Sequence, residues 1–171
     1  APDAKILVVD DVETNRIVVK ELLRVTDINV EVASSGEMCL ELMKNNRYDL
    51  VLLDHMMPGM DGIETLKLIR KMENSPNKDT PVIAMTANAV LGAKSMYLSE
   101  GFDDYISKPF RVKELMLRIK SVMRRYSNET SDGIIKINNL KINTNEAKVY
   151  KNNEEIILTA MEYRLLLILL S

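Results

Sequence analysis

The chain has one cysteine, one histidine, no apolar run near the ~18 residues a membrane span needs, and no excess of either charge. Each shortage excludes a class of function. Cys39 alone cannot build a disulfide framework, which fits a reducing cytosol, and its place among helical residues makes it an inert thiol. A net charge of -2 and a pI near 5.6 give no overall electrostatic case for nucleic acid or an anionic membrane. Ala1-Pro2-Asp3-Ala4 is not a signal peptide, so a soluble cytoplasmic protein without membrane association is expected; the missing initiator methionine points to an edited start. There is no internal repeat and no low-complexity tract. The 171 residues, 46% hydrophobic and 28% charged, suit one well-buried domain plus a small remainder.

What is present is organised around Leu50-Val51-Leu52-Leu53-Asp54, four branched aliphatics ending in a carboxylate and followed by His55-Met56-Met57-Pro58-Gly59. Such a run describes a strand buried on both faces, with the acid just past its C-terminal end. Lys5 to Asp10 repeats the pattern and stops at Asp10-Asp11; Pro81 to Thr86 ends in a hydroxyl, and Asp104 to Pro109 carries Lys108 at its end. Asn29 to Ala33 alternates as an edge strand does.

Between these runs lie helical stripes. Ile17, Val18, Leu22 and Val25 are expected on one face of a helix from Thr14 to Val25, and Met38, Leu42 and Met43 on the next. Helices also follow over Gly62–Glu73, Ala87–Glu100 (closed by Gly101) and Val112–Tyr126. Strict strand-helix alternation implies an α/β fold, a doubly wound five-stranded parallel sheet, and brings Asp10, Asp11, Asp54, Thr86 and Lys108 to one edge.

Three carboxylates gathered there repel one another unless a cation sits among them. Oxygen donors without a His or Cys cluster favour a hard ion, Mg²⁺, which together with Lys108 would balance the three charges. A phosphoryl group could then dock on Mg²⁺, Lys108 and Thr86, with Asp54 in line for attack. Singly, each residue has a plainer reading: Asp10-Asp11 as a helix cap, Asp54 as a cap before a turn, Thr86 as a strand-end hydroxyl. Their conjunction favours chemistry.

Asp10-Asp11, Asp54 with Met57-Pro58-Gly59-Met60-Asp61-Gly62, Thr86-Ala87 and Lys108-Pro109-Phe110 resemble the signature of two-component response-regulator receiver domains over Lys5 to about Tyr126. The resemblance implies a CheY-like, flavodoxin-like sheet order 2-1-3-4-5, an order that strand-helix alternation alone does not give. It implies Asp54 as phospho-acceptor from a sensor histidine kinase and Mg²⁺ as cofactor, held by Asp10, Asp11, Asp54 and the Met56 backbone carbonyl. Lys108 would bind phosphate, with a cis bond to Pro109, and Thr86 and Tyr105 would be the switch pair. The protein would then be no enzyme beyond its own phosphorylation and dephosphorylation. The alternatives are a receiver acting only as a scaffold, or a Mg²⁺-dependent phosphohydrolase with an Asp nucleophile, which needs an acid where Met56 stands. A flavin or nucleotide binder lacks its glycine-rich cradle. His55 is read as a strand-end side chain and not a phospho-carrier, and the methionines as gap-fillers.

The expected domains are a receiver over 1–126, a linker over 127–133, and a C-terminal unit over 134–171. That unit reads as a small antiparallel β platform plus one helix, Ala160 to Leu170, with Thr159 and Glu162 as a capping box. Leu158 to Leu166 resembles the start of an OmpR/PhoB winged-helix effector, incomplete here, so the resemblance implies transcription regulation and DNA binding only in a full-length protein. Five basic and six acidic residues over 127–171 leave no basic stripe, and no specific DNA binding by this chain is expected.

The stretch from Thr86-Ala87-Asn88-Ala89 to Tyr105 instead resembles receivers of hybrid histidine kinases. For the OmpR/PhoB dimer face, built from the fourth helix, fifth strand and fifth helix, Asp104, Glu114 and Arg118 resemble members of the charged pairs, with Met96 where a base is expected. A homodimer through that face, or through the leucine-rich last helix left without a partner, is the expectation.

Overall fold

The computed structural model describes residues 4–26, 28–88, 90–126, 134–137, 139–143 and 146–169. The expected linker over 127–133, Leu170, and the turns through Asn138, Thr144 and Asn145 fall outside these. The chain divides into two compact units, Ala1–Tyr126 and Ser127–Ser171.

In the first unit strands β1 (Lys5–Val9), β2 (Asn29–Ala33), β3 (Leu50–Asp54), β4 (Val82–Thr86) and β5 (Asp104–Ser107) alternate with helices α1 (Glu13–Leu23), α2 (Gly36–Asn45), α3 (Gly62–Arg70), α4 (Ala93–Ser99) and α5 (Val112–Tyr126). All pairings are parallel and the order is β2-β1-β3-β4-β5, as the family resemblance implied. Because strand side chains alternate, each strand feeds two cores. Leu7, Val9, Val51, Leu53, Val82 and Ala84 pack beneath α2, α3 and α4; Ile6, Val8, Leu50, Leu52, Ile83 and Met85 pack beneath α1 and α5. Every residue of β3 and β4 is buried, which fixes the strand ends where the polar residues emerge.

Two helix faces differ from expectation. On α1 the buried apolar residues are Val19 and Leu23, while Ile17 (53%), Val18 (54%) and Val25 (84%) are exposed, Val25 lying beyond the helix end. The helix carries two overlapping apolar stripes, and the sheet takes the one through Val19 and Leu23. On α2 Cys39 and Met43 are buried and Met38 is exposed; burial pushes the Cys39 thiol up to about 12, which leaves it protonated.

Two helices are shorter than expected. The α3 helix opens on a capping box, Asp61 with Glu64, and ends at Arg70, three residues before Glu73. The α4 helix begins at Ala93 and not at Ala87. The Thr86 hydroxyl accepts the Asn88 amide proton at 3.1 Å, and Gly92 enters the left-handed region (φ 85°), so the local backbone is committed elsewhere. Gly101, with φ 102°, does close α4: its N–H reaches the Leu98 carbonyl and the Phe102 N–H reaches that of Tyr97, a Schellman end with the Tyr97 and Phe102 rings in contact.

The second unit is an antiparallel meander of β6 (Ile134–Ile137), β7 (Leu140–Asn143), β8 (Lys148–Lys151) and β9 (Glu154–Ile156), followed by α6 (Ala160–Leu169). Ile142 and Val149 are buried and directly paired. Asn152 and Asn153 both take positive φ, 52° and 70°, the two-residue turn that matches strand twist in a hairpin. The capping box expected at α6 is present: Glu162 Oε2 accepts from Thr159 N and Oγ1, both at 2.8 Å, and Thr159 Oγ1 accepts from Glu162 N at 3.3 Å. The α6 apolar side is not wholly without a partner. Leu165 and Leu166 line a cavity of about 330 Å³ with Leu140, Val149, Ile156 and Leu158, while Met161 is 72% exposed. Among the described residues no helix is long and apolar enough to cross a membrane.

Candidate functional site

At the C-terminal edge of the sheet, Asp10 follows β1, Asp54 closes β3, Thr86 closes β4 and Lys108 follows β5. The neighbouring backbone locks them in place. Asp10 N donates to Ala33 O at 3.1 Å, His55 N to Met85 O at 3.0 Å and Lys108 N to Thr86 O at 2.7 Å, so each loop leaves its strand still bonded to the next. The Lys108-Pro109 bond is cis.

Lys108 Nζ sits among the acids, 2.5 Å from Asp10 Oδ2 and 3.2 Å from Asp54 Oδ1. Asp10, Asp11 and Asp54 each offer a carboxylate oxygen within 4.8 Å of the others. Burial raises the Asp54 pKa above the ordinary aspartate value; Lys108 pulls it back, and Asp10 and Asp11 push it further up. One ammonium cannot neutralise three acids. An all-oxygen donor set with surplus negative charge fits a hard divalent cation such as Mg²⁺.

Other residues hold the acids in position and were not singled out from the sequence. Asp10 Oδ1 accepts from Val12 N at 2.9 Å and Asn15 Nδ2 at 3.3 Å. Arg16 Nη1 donates to the carbonyls of Asp10 (2.7 Å) and Asp11 (3.1 Å), fixing the loop from the first turns of α1. Their position one turn after the acidic pair was the available signal. Asn15, Val18, Val19, Lys108, Pro109 and Phe110 line a groove of about 330 Å³ beside the site.

Gly62 answers to a steric demand. A Cβ there would lie 2.3 Å from the Asp54 carbonyl oxygen and 2.9 Å from His55 Cα, both backbone atoms. Gly62→Ala is therefore expected to force the loop after β3 outward and cost about 1–3 kcal/mol, read from the urea midpoint. An unchanged midpoint would count against this account.

Among the switch candidates, the Thr86 hydroxyl is engaged with Asn88, bonded to its N–H at 3.1 Å and its carbonyl at 3.3 Å. Tyr105 is half-buried and stacked on Tyr97, ring centroids 5.8 Å apart. Met56 is 69% exposed in the loop after Asp54. Two of the residues expected at the dimer face pair within the chain: Arg118 Nη1 lies 3.2 and 3.3 Å from the Asp104 carboxylate oxygens, and its guanidinium is 5.9 Å from the Tyr105 ring centre. Glu114 precedes Arg118 by one helical turn. Met96 is exposed on α4, as is Lys94 in its first turn.

Residues 6–120 match the family model described as the response regulator receiver domain. The chain is 41% identical over 173 aligned residues to ycf27 of Porphyridium aerugineum, a transcriptional regulator by name, covering 98% of this chain and 70% of that protein. It is 35% identical to the heme response regulator HssR of Staphylococcus haemolyticus, covering 96% and 71%. Among solved structures, the receiver domain of a sensor histidine kinase from Pseudomonas aeruginosa, with a magnesium ion coordinated in its active-site cleft, superposes with a TM-score of 0.64 at 32% identity, covering 71% of this chain and 98% of that one.

Proposed function

Since the chain belongs to the response regulator receiver family of two-component systems, we propose that Asp54 is its phosphoryl acceptor and that the donor is a phosphohistidine of a sensor histidine kinase. One observation carries this reading: the Lys108 ammonium lies 3.2 Å from Asp54 inside a cluster of three carboxylates at one sheet edge. Asp54 Oδ attacks phosphorus, the bond from phosphorus to the donor's ring nitrogen breaks, and its electron pair stays on that nitrogen, leaving an aspartyl phosphate. Lys108 meets the charge on the phosphoryl oxygens, and Asp10, released from part of its contact with Lys108, turns its charge to the cation site. Asp10, Asp11, Asp54 and the Met56 carbonyl would hold Mg²⁺, which supplies charge neutralisation and orientation for the incoming phosphoryl group.

The groove beside Lys108, with the exposed Val18 at its rim, suits a helix of the donor protein. On phosphorylation Thr86 exchanges its Asn88 bonds for the new phosphoryl oxygens, and Tyr105 moves with it. The output is transcriptional: the unit over 134–171 is read as the opening part of a winged-helix effector, consistent with relatives of which this chain spans about 70%. Dimerisation through the α4, β5 and α5 face would require Asp104, Glu114 and Arg118 to offer charge to a second copy, and the Asp104–Arg118 pair then has to be shared. A phosphohydrolase lacks support, because Met56 stands where its second acid belongs.

Incubation with a small phosphodonor and Mg²⁺, followed by borohydride trapping and peptide mapping, is expected to place the modification on the peptide carrying Asp54. No label, or one elsewhere, would overturn the reading.

A further inference from the structure

His55 and Tyr97 are 42 positions apart in the chain, yet His55 Nδ1 and the Tyr97 hydroxyl are hydrogen-bonded at 2.8 Å. Their rings meet edge to face, centroids 5.3 Å apart. Both partners stand on fixed backbone. His55 N is bonded to Met85 O at 3.0 Å and His55 O accepts from Gly62 N at 2.9 Å, so the residue after Asp54 is pinned between β4 and the start of α3. Tyr97 is 2% exposed, its carbonyl closes the Schellman end of α4, and its ring packs edge-on against Phe102. Its other neighbour is Tyr105, near-parallel at 19°.

The contacts form one continuous path, from Asp54 to His55 by covalent bond, to Tyr97 by hydrogen bond, and to Tyr105 by stacking. Beyond Tyr105 stands Arg118, which also holds Asp104. The α4 helix is only seven residues long, and a helix that short owes its position to tertiary contacts more than to its own propensity. A polar bond from its buried face to the acceptor strand is such a contact.

We infer that His55 and Tyr97 are positioning residues that hold α4 and Tyr105 in the resting arrangement and tie that arrangement to the strand end carrying the acceptor. The arrangement is the resting one because Thr86 still spends its hydroxyl on Asn88. A contact that differs between two states biases them by its differential free energy, and a contact equal in both biases nothing. Tyr105 moves with Thr86 on phosphorylation and so leaves its stacking on Tyr97, the ring that the His55 bond holds in place; the tie therefore opposes activation, and removing it favours the phosphorylated form. This rests on the reading of Asp54 as acceptor and of Thr86 and Tyr105 as the switch.

Tyr97→Phe removes the hydroxyl and keeps both ring contacts, so the fold survives it; His55→Phe keeps the edge-to-face packing and removes the nitrogen. A hydrogen bond of ordinary net strength corresponds to about a three- to tenfold tightening of beryllofluoride with Mg²⁺ in either variant. The double variant should tighten no further than the stronger single one, since there is one bond to lose. With fluorotyrosine incorporated and the Tyr105 signal assigned through Tyr105→Phe, the Tyr105 fluorine resonance of Tyr97→Phe should move, without ligand, toward the position it takes in the liganded wild type.

Unchanged affinity with an unmoved resonance, or additive effects in the double variant, would overturn the tie. Failure of the wild type to bind beryllofluoride would instead strike the acceptor reading. The two failures are distinguishable, because Tyr97→Phe either displaces the ligand-free Tyr105 resonance from its wild-type position or leaves it there, whether or not beryllofluoride binds.

Discussion

Asp54→Asn is expected to abolish phosphoryl uptake and, in the absence of divalent cations, to raise the thermal midpoint by about 2–4 °C, the equivalent of ~1 kcal/mol. The loss follows from chemistry: an amide oxygen does not attack phosphorus as a carboxylate does. The gain follows from electrostatics. Burial, with Asp10 and Asp11 nearby, raises the Asp54 pKa despite the opposing pull of Lys108. A carboxyl whose folded pKa exceeds its unfolded one favours folding most below the unfolded value and loses that contribution as pH rises through the folded value. At neutral pH the ionised Asp54 is thus a cost to the fold, and the neutral isostere removes it while keeping an oxygen for Lys108. The difference in midpoint between the two proteins should shrink on acidification through the folded pKa of Asp54. A variant that still takes up phosphate, or one that melts lower than wild type at neutral pH, would contradict this account.

The features that made Asp54 visible in the sequence are those of the parallel sheet. A strand buried on both faces must be continuously apolar, so Leu50 to Leu53 and Val82 to Met85 announce themselves, and the first polar residue after each marks the functional edge. Helix faces were less legible. The α1 helix has apolar residues at Ile17, Val18, Val19, Leu22 and Leu23, and a 3.6-residue period cannot say which stripe the sheet will take. The late start of α4 was hidden for another reason. Ala87-Asn88-Ala89 has no strong breaker, and the bonds of the Thr86 hydroxyl to Asn88, with Gly92 in the left-handed region, show why α4 begins only at Ala93. The His55–Tyr97 bond had no sequence signal, because it joins a loop and a helix that only the completed fold brings together. The strand order came from the family resemblance, since alternation alone is compatible with more than one order.

Mg²⁺ should stabilise the wild type in proportion to the logarithm of its concentration, by about 2.7 kcal/mol at a hundred times its dissociation constant, and Asp10→Asn or Asp11→Asn should remove most of that gain. The three acids lie within 4.8 Å of one another, Lys108 is the base paired with their carboxylates among the described contacts, and Arg16 grips only the carbonyls of residues 10 and 11, so the unliganded site still carries surplus negative charge that a divalent ion relieves. Asn at position 10 preserves the oxygen that accepts the Val12 and Asn15 protons, which separates loss of charge from loss of loop structure. Phosphoryl uptake should fall by about a hundredfold in that variant, the usual consequence of removing one preorganised electrostatic partner from a charged transition state. Its midpoint without Mg²⁺ should not fall far, because Arg16 still grips the carbonyls of residues 10 and 11. If the Mg²⁺-dependent rise in midpoint survives both single substitutions, the ion is held elsewhere and the assignment of these acids as its ligands is wrong.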